Sequence, residues 1–84
     1  MSQEFTAYLG KMLQGGSVDA KTKEMIAVAL SLGVHCAPCT RHHVNKAIEM
    51  GVTKEQLDEI ADIAMGFGGC RAKVLWDEIV KEIE

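Results

Sequence analysis

No stretch of this 84-residue chain alternates apolar and polar residues for long enough to make a half-buried strand. Apolar residues instead recur at helical spacing along most of its length. That pattern excludes sheet architectures and predicts an all-α fold of five helices. The first runs from about Gln3 to Leu13, with Phe5, Tyr8, Leu9 and Met12 on one stripe and Gly15-Gly16 ending it. Ser17 or Asp19 caps a second, which reaches about Leu32. Its uninterrupted run Met25-Ile26-Ala27-Val28-Ala29-Leu30 predicts burial on most sides. The third begins near Cys36, with Pro38 in the first turn, where a missing N–H costs nothing, and ends at Met50 with Gly51 beyond it. Thr53-Lys54-Glu55-Gln56 is a capping box opening the fourth, which carries Leu57, Ile60, Ala61, Ala64 and Met65. Gly66-Phe67-Gly68-Gly69 breaks the pattern. The fifth, Cys70 to Ile83, shows an apolar face of Val74, Leu75, Ile79, Val80 and Ile83, with Trp76 in the core or at an interface. Links this short predict a compact bundle in a single domain, 1–84.

A domain of this size buries roughly 60 to 65% of its unfolded surface and is marginal alone. Nearly half the residues are apolar and few are aromatic. Together with the apolar second helix, this predicts a homo-oligomer. The net charge of −3, with both signs spread along the chain, argues against a nucleic-acid or anionic-membrane partner. The apolar runs fall far short of the ~20 residues of a membrane span. Met-Ser-Gln-Glu-Phe has neither the basic nor the apolar region of a signal peptide, so the expected compartment is the cytoplasm.

In that compartment three cysteines, Cys36, Cys39 and Cys70, do not make a disulfide framework. A close Cys36-Ala37-Pro38-Cys39 pair is there more often catalytic or metal-binding. Its thiols are within disulfide reach, and the unpaired N–H groups of a helix start stabilise a thiolate. His43 follows Cys39 by one helical turn, so its imidazole can take or return the thiol proton. His42 points about 100° away, and His35 can approach only from the link. Glu24 sits at the edge of the apolar run among Ala20, Ala27 and Ser31, where a carboxylate is partly desolvated and suited to proton exchange, although on its own it also reads as a first-turn acid serving the helix dipole beside Lys21 and Lys23. The helix dipole favours Cys36 as the more acidic thiol, whereas the histidine favours Cys39; local physics leaves the order open.

Glu24, Cys36-Ala37-Pro38-Cys39 and His43 together resemble the signature E-x(11)-C-x-x-C-x(3)-H. That signature belongs to the alkylhydroperoxidase D-like branch of the carboxymuconolactone decarboxylase family. The likeness extends through Lys21-Thr22-Lys23-Glu24 and Ala47-Ile48-Glu49-Met50-Gly51, covering roughly residues 17 to 70. It implies an all-α fold assembled as a homotrimer or homohexamer, and a redox-cycling cysteine pair served by a glutamate–histidine proton relay. It also implies that Cys39 attacks and Cys36 resolves, that hydroperoxides or disulfides are the substrates, and that no metal or organic cofactor takes part. An external reductant, a protein or a small thiol, would reset the pair. Peroxidase members of the family carry a histidine inside the CxxC; Ala37-Pro38 here shifts the expectation from peroxiredoxin-like activity toward disulfide exchange.

The competing reading is a zinc-binding or non-catalytic assembly module, with Cys36, Cys39 and His43 as ligands and His35 or His42 as a fourth. Four ligands crowded onto one helix start are difficult to arrange around a tetrahedral ion. Other singled-out residues have plain expectations. Cys70 is structural, His42 is a solvated surface residue, and Met12, Met25, Met50 and Met65 fill the core. The glycine-rich Gly66–Gly69 segment follows a helix and lacks a Lys-Ser/Thr ending, so it is not a phosphate loop.

Overall fold

Most of the helices begin where the chain supplies a capping group. The structure, a computed structural model, describes residues 2–84. In α1 (Gln3–Met12) the Ser2 hydroxyl accepts from the N–H of Phe5. In α2 (Ala20–Gly33) the Asp19 carboxylate accepts from the N–H of Thr22 at 2.9 Å, which selects Asp19 over Ser17 as the cap. α4 (Lys54–Gly68) opens with the full capping box: Thr53 accepts from the Gln56 N–H, and the Gln56 side chain accepts from the Thr53 N–H. α3 (Ala37–Glu49) and α5 (Cys70–Ile83) start without a side-chain cap, behind Cys36 and Gly69. Among the described residues there are five helices and no strand.

Helix α2 is the central element and packs against α3, α4 and α5. Its Val28 and Leu32 are fully buried among Val44 and Ala47 of α3, Leu57, Ala61 and Ala64 of α4, and Leu75 and Ile79 of α5. Trp76 is in the core as expected, and its indole N–H reaches out to Asp58 Oδ1 at 3.2 Å, so its polar edge is satisfied while its body is buried. Met25 and Met65 pack against this core, but Met12 is exposed.

Three expectations are corrected. First, the burial expected on most sides of α2 fails along one face: Ile26 and Leu30, one turn apart, are exposed, because its neighbours cover only part of its circumference. Val34, Ile63, Phe67 and Val74 are exposed as well. Second, Gly66 and Gly68 do not end α4, which runs through both and stops at Gly69 with φ +71°. A Cβ on Gly68 would stand 2.6 Å from the carbonyl oxygen of Gly33, so glycine there serves the close approach of α4 to α2. Third, the apolar stripe of α1 finds no core. The helix has no buried residue, and Phe5, Tyr8 and Met12 are exposed while Leu9 and Leu13 are half-buried. What fixes its end is polar: the ammonium of Lys23, on α2, donates to the carbonyls of Met12 at 3.0 Å and Gln14 at 2.7 Å. Among the described residues no helix is long and apolar enough to cross a membrane.

Candidate functional site

The turn between α2 and α3 sets the cysteine pair in place. The N–H of Cys36 donates to the Ser31 carbonyl at 2.9 Å and that of His35 to Leu32 at 3.0 Å, the paired bonds of a Schellman motif. His35 occupies the left-handed position of that motif, with φ +61°, where glycine is usual. The chain then turns directly into α3, with Cys36 as its N-cap and Cys39 in its first turn. The buried hydroxyl of Thr40 donates back to the Cys36 carbonyl at 2.8 Å, which ties the cap to the helix.

Cys36 and Cys39 are joined as a disulfide, with their Cα atoms 5.3 Å apart. Their surroundings differ: Cys39 is exposed and Cys36 half-buried. Glu24, on α2, is 4% exposed and would be costly to bury alone. Its Oε1 lies 2.5 Å from Nδ1 of His43, on α3, so the two helices are bridged beside the pair. With Nδ1–H donating to the carboxylate, Nε2 of His43 is left as the proton acceptor, one helical turn from Cys39.

Cys39, Glu24 and His43 line one groove of about 750 Å³, whose walls come from the α1 segment, α2 and α3. Along α3 its wall is Pro38, Cys39, His42, His43, Lys46 and Met50, a single face of that helix. Glu24 and Ala20 come from α2, and Thr6, Leu9 and Gly10 from α1, with Leu13 and Gln14 just beyond its end. The structure thus brings together Glu24, Cys36, Cys39 and His43. His42 is exposed as expected but also lines the groove, its ring set edgewise 5.1 Å from that of His43. His35 does not line it. Cys70 is exposed at the first position of α5, which corrects its reading as a structural thiol. Among the described residues no three or more His, Cys, Asp or Glu side chains are placed to hold a metal ion together. The sequence reading missed Lys46 and the α1 wall. The repeat of Cys39, Lys46 and Met50 on one face of α3 was the available signal for Lys46.

A five-helix fold that puts a CxxC pair beside a buried glutamate–histidine bridge defines the class: an all-α protein with a cysteine pair at a helix start. Residues 1–78 match the model of the carboxymuconolactone decarboxylase family, and the chain belongs to that family. It is 37% identical over 65 residues to an uncharacterized protein of Cupriavidus necator, covering 77% of this chain and 58% of that protein. It is 35% identical over 60 residues to uncharacterized protein 4 in the cox locus of Paracoccus denitrificans, covering 71% of this chain and 54% of that one. The chain therefore spans little more than half the length of these relatives. The fold superposes with a TM-score of 0.89 on a Thermotoga maritima protein of the same family, for which a part in the antioxidative response is suggested. That match has 26% identity and covers 94% of this chain and 81% of the other. A Legionella pneumophila member of the family superposes at 0.83 with 28% identity, covering 93% and 70%.

Proposed function

We propose that the chain is a thiol-dependent oxidoreductase that cycles Cys36 and Cys39 between dithiol and disulfide, with Glu24 and His43 handling the protons. The observation that carries this reading is the placement of an exposed Cys39 and the buried Glu24–His43 bridge on one groove wall. Exposure also supports Cys39 as the sulfur that meets substrate and Cys36 as the resolving thiol, the order that helix dipole and spacing alone left open.

In the reduced protein His43 Nε2 takes the proton of Cys39, and Glu24 stabilises the imidazolium through Nδ1. The Cys39 thiolate attacks an oxygen of a hydroperoxide; the S–O bond forms, the O–O bond breaks, and the alkoxide leaves as alcohol with the proton from His43. The Cys36 thiol then attacks the sulfenic sulfur, the S–S bond forms and water leaves. With a disulfide substrate, the same thiolate forms a mixed disulfide that Cys36 resolves, releasing two thiols. Either turn oxidises the pair by two electrons, and an external dithiol returns them through a mixed disulfide at Cys39. The scheme needs no metal and no organic cofactor.

Self-association belongs to the same proposal. Exposed Ile26, Leu30, Val34, Ile63 and Phe67 are supporting observations, because apolar side chains of this size are normally covered. Light scattering at micromolar concentration should give a homotrimer or homohexamer, and a monomer would refute this part.

The test of activity is stopped-flow loss of free thiols in the reduced, metal-free protein, against tert-butyl hydroperoxide and separately against a small disulfide. Two thiols per chain should disappear faster than from free cysteine, and Cys39→Ser should abolish the reaction. Rates equal to free cysteine with both oxidants, together with stoichiometric zinc after purification, would replace the proposal with the metal-binding reading.

A further inference from the structure

The groove beside Cys39 is far larger than a small peroxide needs, and most of its wall is apolar. Leu9 of α1 and Leu13 at its C-cap line it together with Pro38 of α3 and Met50 at that helix's C-cap. Its charged groups are unevenly distributed. The one lining acid, Glu24, is held by His43. The ammonium of Lys46, by contrast, makes no ion pair with a carboxylate among the described residues. Lys46 also lies on the same face of α3 as Cys39, seven residues further on. At 1.5 Å per residue that is about 10 Å along the helix axis. A groove with a nucleophile at one point of the α3 wall, a free cation about two turns away and apolar side chains of Leu9, Leu13, Pro38 and Met50 around the two is complementary to an organic anion of defined length.

We propose that this groove binds an organic acid with an apolar chain, its carboxylate held by Lys46 and its electrophilic O–O or S–S bond presented to Cys39. The proposal rests on the thiol reading above and deepens it by naming the substrate class. An extended chain advances ~3.5 Å for every three bonds, so roughly nine bonds separate carboxylate from reacting atom in the best-fitting ligand. His42, one turn before Lys46 on the same wall, adds a second donor near the carboxylate. The alternative use of Lys46 is to complement the C-terminal dipole of α3, in whose last turn it sits. That use predicts no ligand preference at all.

Binding and chemistry are tested separately. In the first experiment, unreactive straight-chain carboxylates from hexanoate to dodecanoate are titrated calorimetrically into the full chain, beside the alcohol of each length. Affinity should rise roughly fourfold per methylene, the increment for burying one such group, and level off near ten carbons. The carboxylate should bind at least tenfold tighter than the alcohol. Lys46→Gln should erase that difference, whereas Lys81→Gln, on α5 and away from the groove, should keep it. In the second, the reduced protein is oxidised by symmetrical dithiodialkanoic acids and by hydroperoxy fatty acids, each against its methyl ester. The acid-to-ester rate ratio should exceed ten and fall to about one in Lys46→Gln. Equal binding of decanoate and decanol, or no decanoate binding at millimolar concentration in a chain whose thiols still react rapidly with tert-butyl hydroperoxide, would overturn the proposal and leave the thiol reading standing. Decanoate binding that depends on Lys46, in a chain whose thiols react no faster than free cysteine, would sustain the ligand class and remove the oxidoreductase.

Discussion

Oε1 of Glu24 and Nδ1 of His43 stand 2.5 Å apart across the α2–α3 interface, with the Glu24 side chain 5% and the His43 side chain 16% exposed. A contact this well shielded does two things. It fixes the ring so that Nε2 is the free nitrogen, the one that the proposed relay uses. It also spares α2 an unpaired buried carboxylate, so the bridge belongs to the packing as well as to the proposed chemistry.

Glu24→Gln separates those roles. The amide keeps the shape and a hydrogen bond to Nδ1 but cannot stabilise the charged ring. Thiol oxidation should slow by about 100-fold, the scale of a lost acid–base contribution. Circular dichroism should be unchanged. A variant that reacts at the parental rate would remove Glu24 from the relay and leave it a packing residue.

The pairing of Glu24 with His43 was legible only through the family signature, and the groove around it was not legible at all. Spacing carries the convergence of the CxxC pair and His43, one helical turn apart, whereas Glu24 joined them only through the resemblance to the family signature. Helix existence was legible locally: each run has its cap or its glycine in sequence. The position of α1 leaves no such trace. It rests on Lys23 donating to two backbone carbonyls, and carbonyls are the same in every residue. Lys46 gained its setting only when α1 supplied a further wall. The apolar run of α2 misled in the other direction, because Ile26 and Leu30 show how apolar a face is and not what covers it.

Gly68 lies within α4 where the helix meets α2, and that close approach gives a sharp prediction. Because a Cβ there would meet the Gly33 carbonyl oxygen at 2.6 Å and its Cα at 3.1 Å, Gly68→Ala must push α4 off α2. Backbone atoms cannot rotate away as a side chain can. The expected destabilisation is about 1–3 kcal/mol by urea unfolding, the cost of overpacking, even though alanine is the better helix former. Gly66→Ala is the control: it meets nothing within 4 Å and should stabilise α4 slightly. Equal effects of the two would refute the close-approach argument.

The Schellman motifs that end α2 and α3 carry different residue types at the left-handed position. Gly51 fills the left-handed position after α3 with φ +92°, and His35 fills it after α2 with φ +61°. The His35 backbone carries a steric cost of about 1–2 kcal/mol that glycine does not. Part of the gain on substitution is offset by the greater freedom of glycine in the unfolded chain. His35→Gly should therefore stabilise by up to about 1 kcal/mol, and Gly51→Ala should destabilise by a similar amount. Loss of stability in His35→Gly would mean that the imidazole makes a contact worth more than the strain.

The start of α2 sets the register of Glu24, five residues beyond Asp19, and that start responds to pH. Hydrogen bonds from Thr22, through its side chain and its N–H, hold the Asp19 carboxyl below its usual range, helped by the charge of Lys21. A folded-state pKa lower than the unfolded one means that the unfolded chain binds the proton more readily. The cap therefore contributes stability above the ordinary carboxylate range, and this is lost as pH falls through the depressed value. Asp19→Asn isolates the effect, because asparagine caps a helix nearly as well but carries no charge. In thermal unfolding from pH 7 to pH 2, wild type should melt above Asp19→Asn near neutrality, and the gap should close only in the acid limb. A gap that stayed constant, or widened toward low pH, would show that the charge of Asp19 does not hold the first turn of α2.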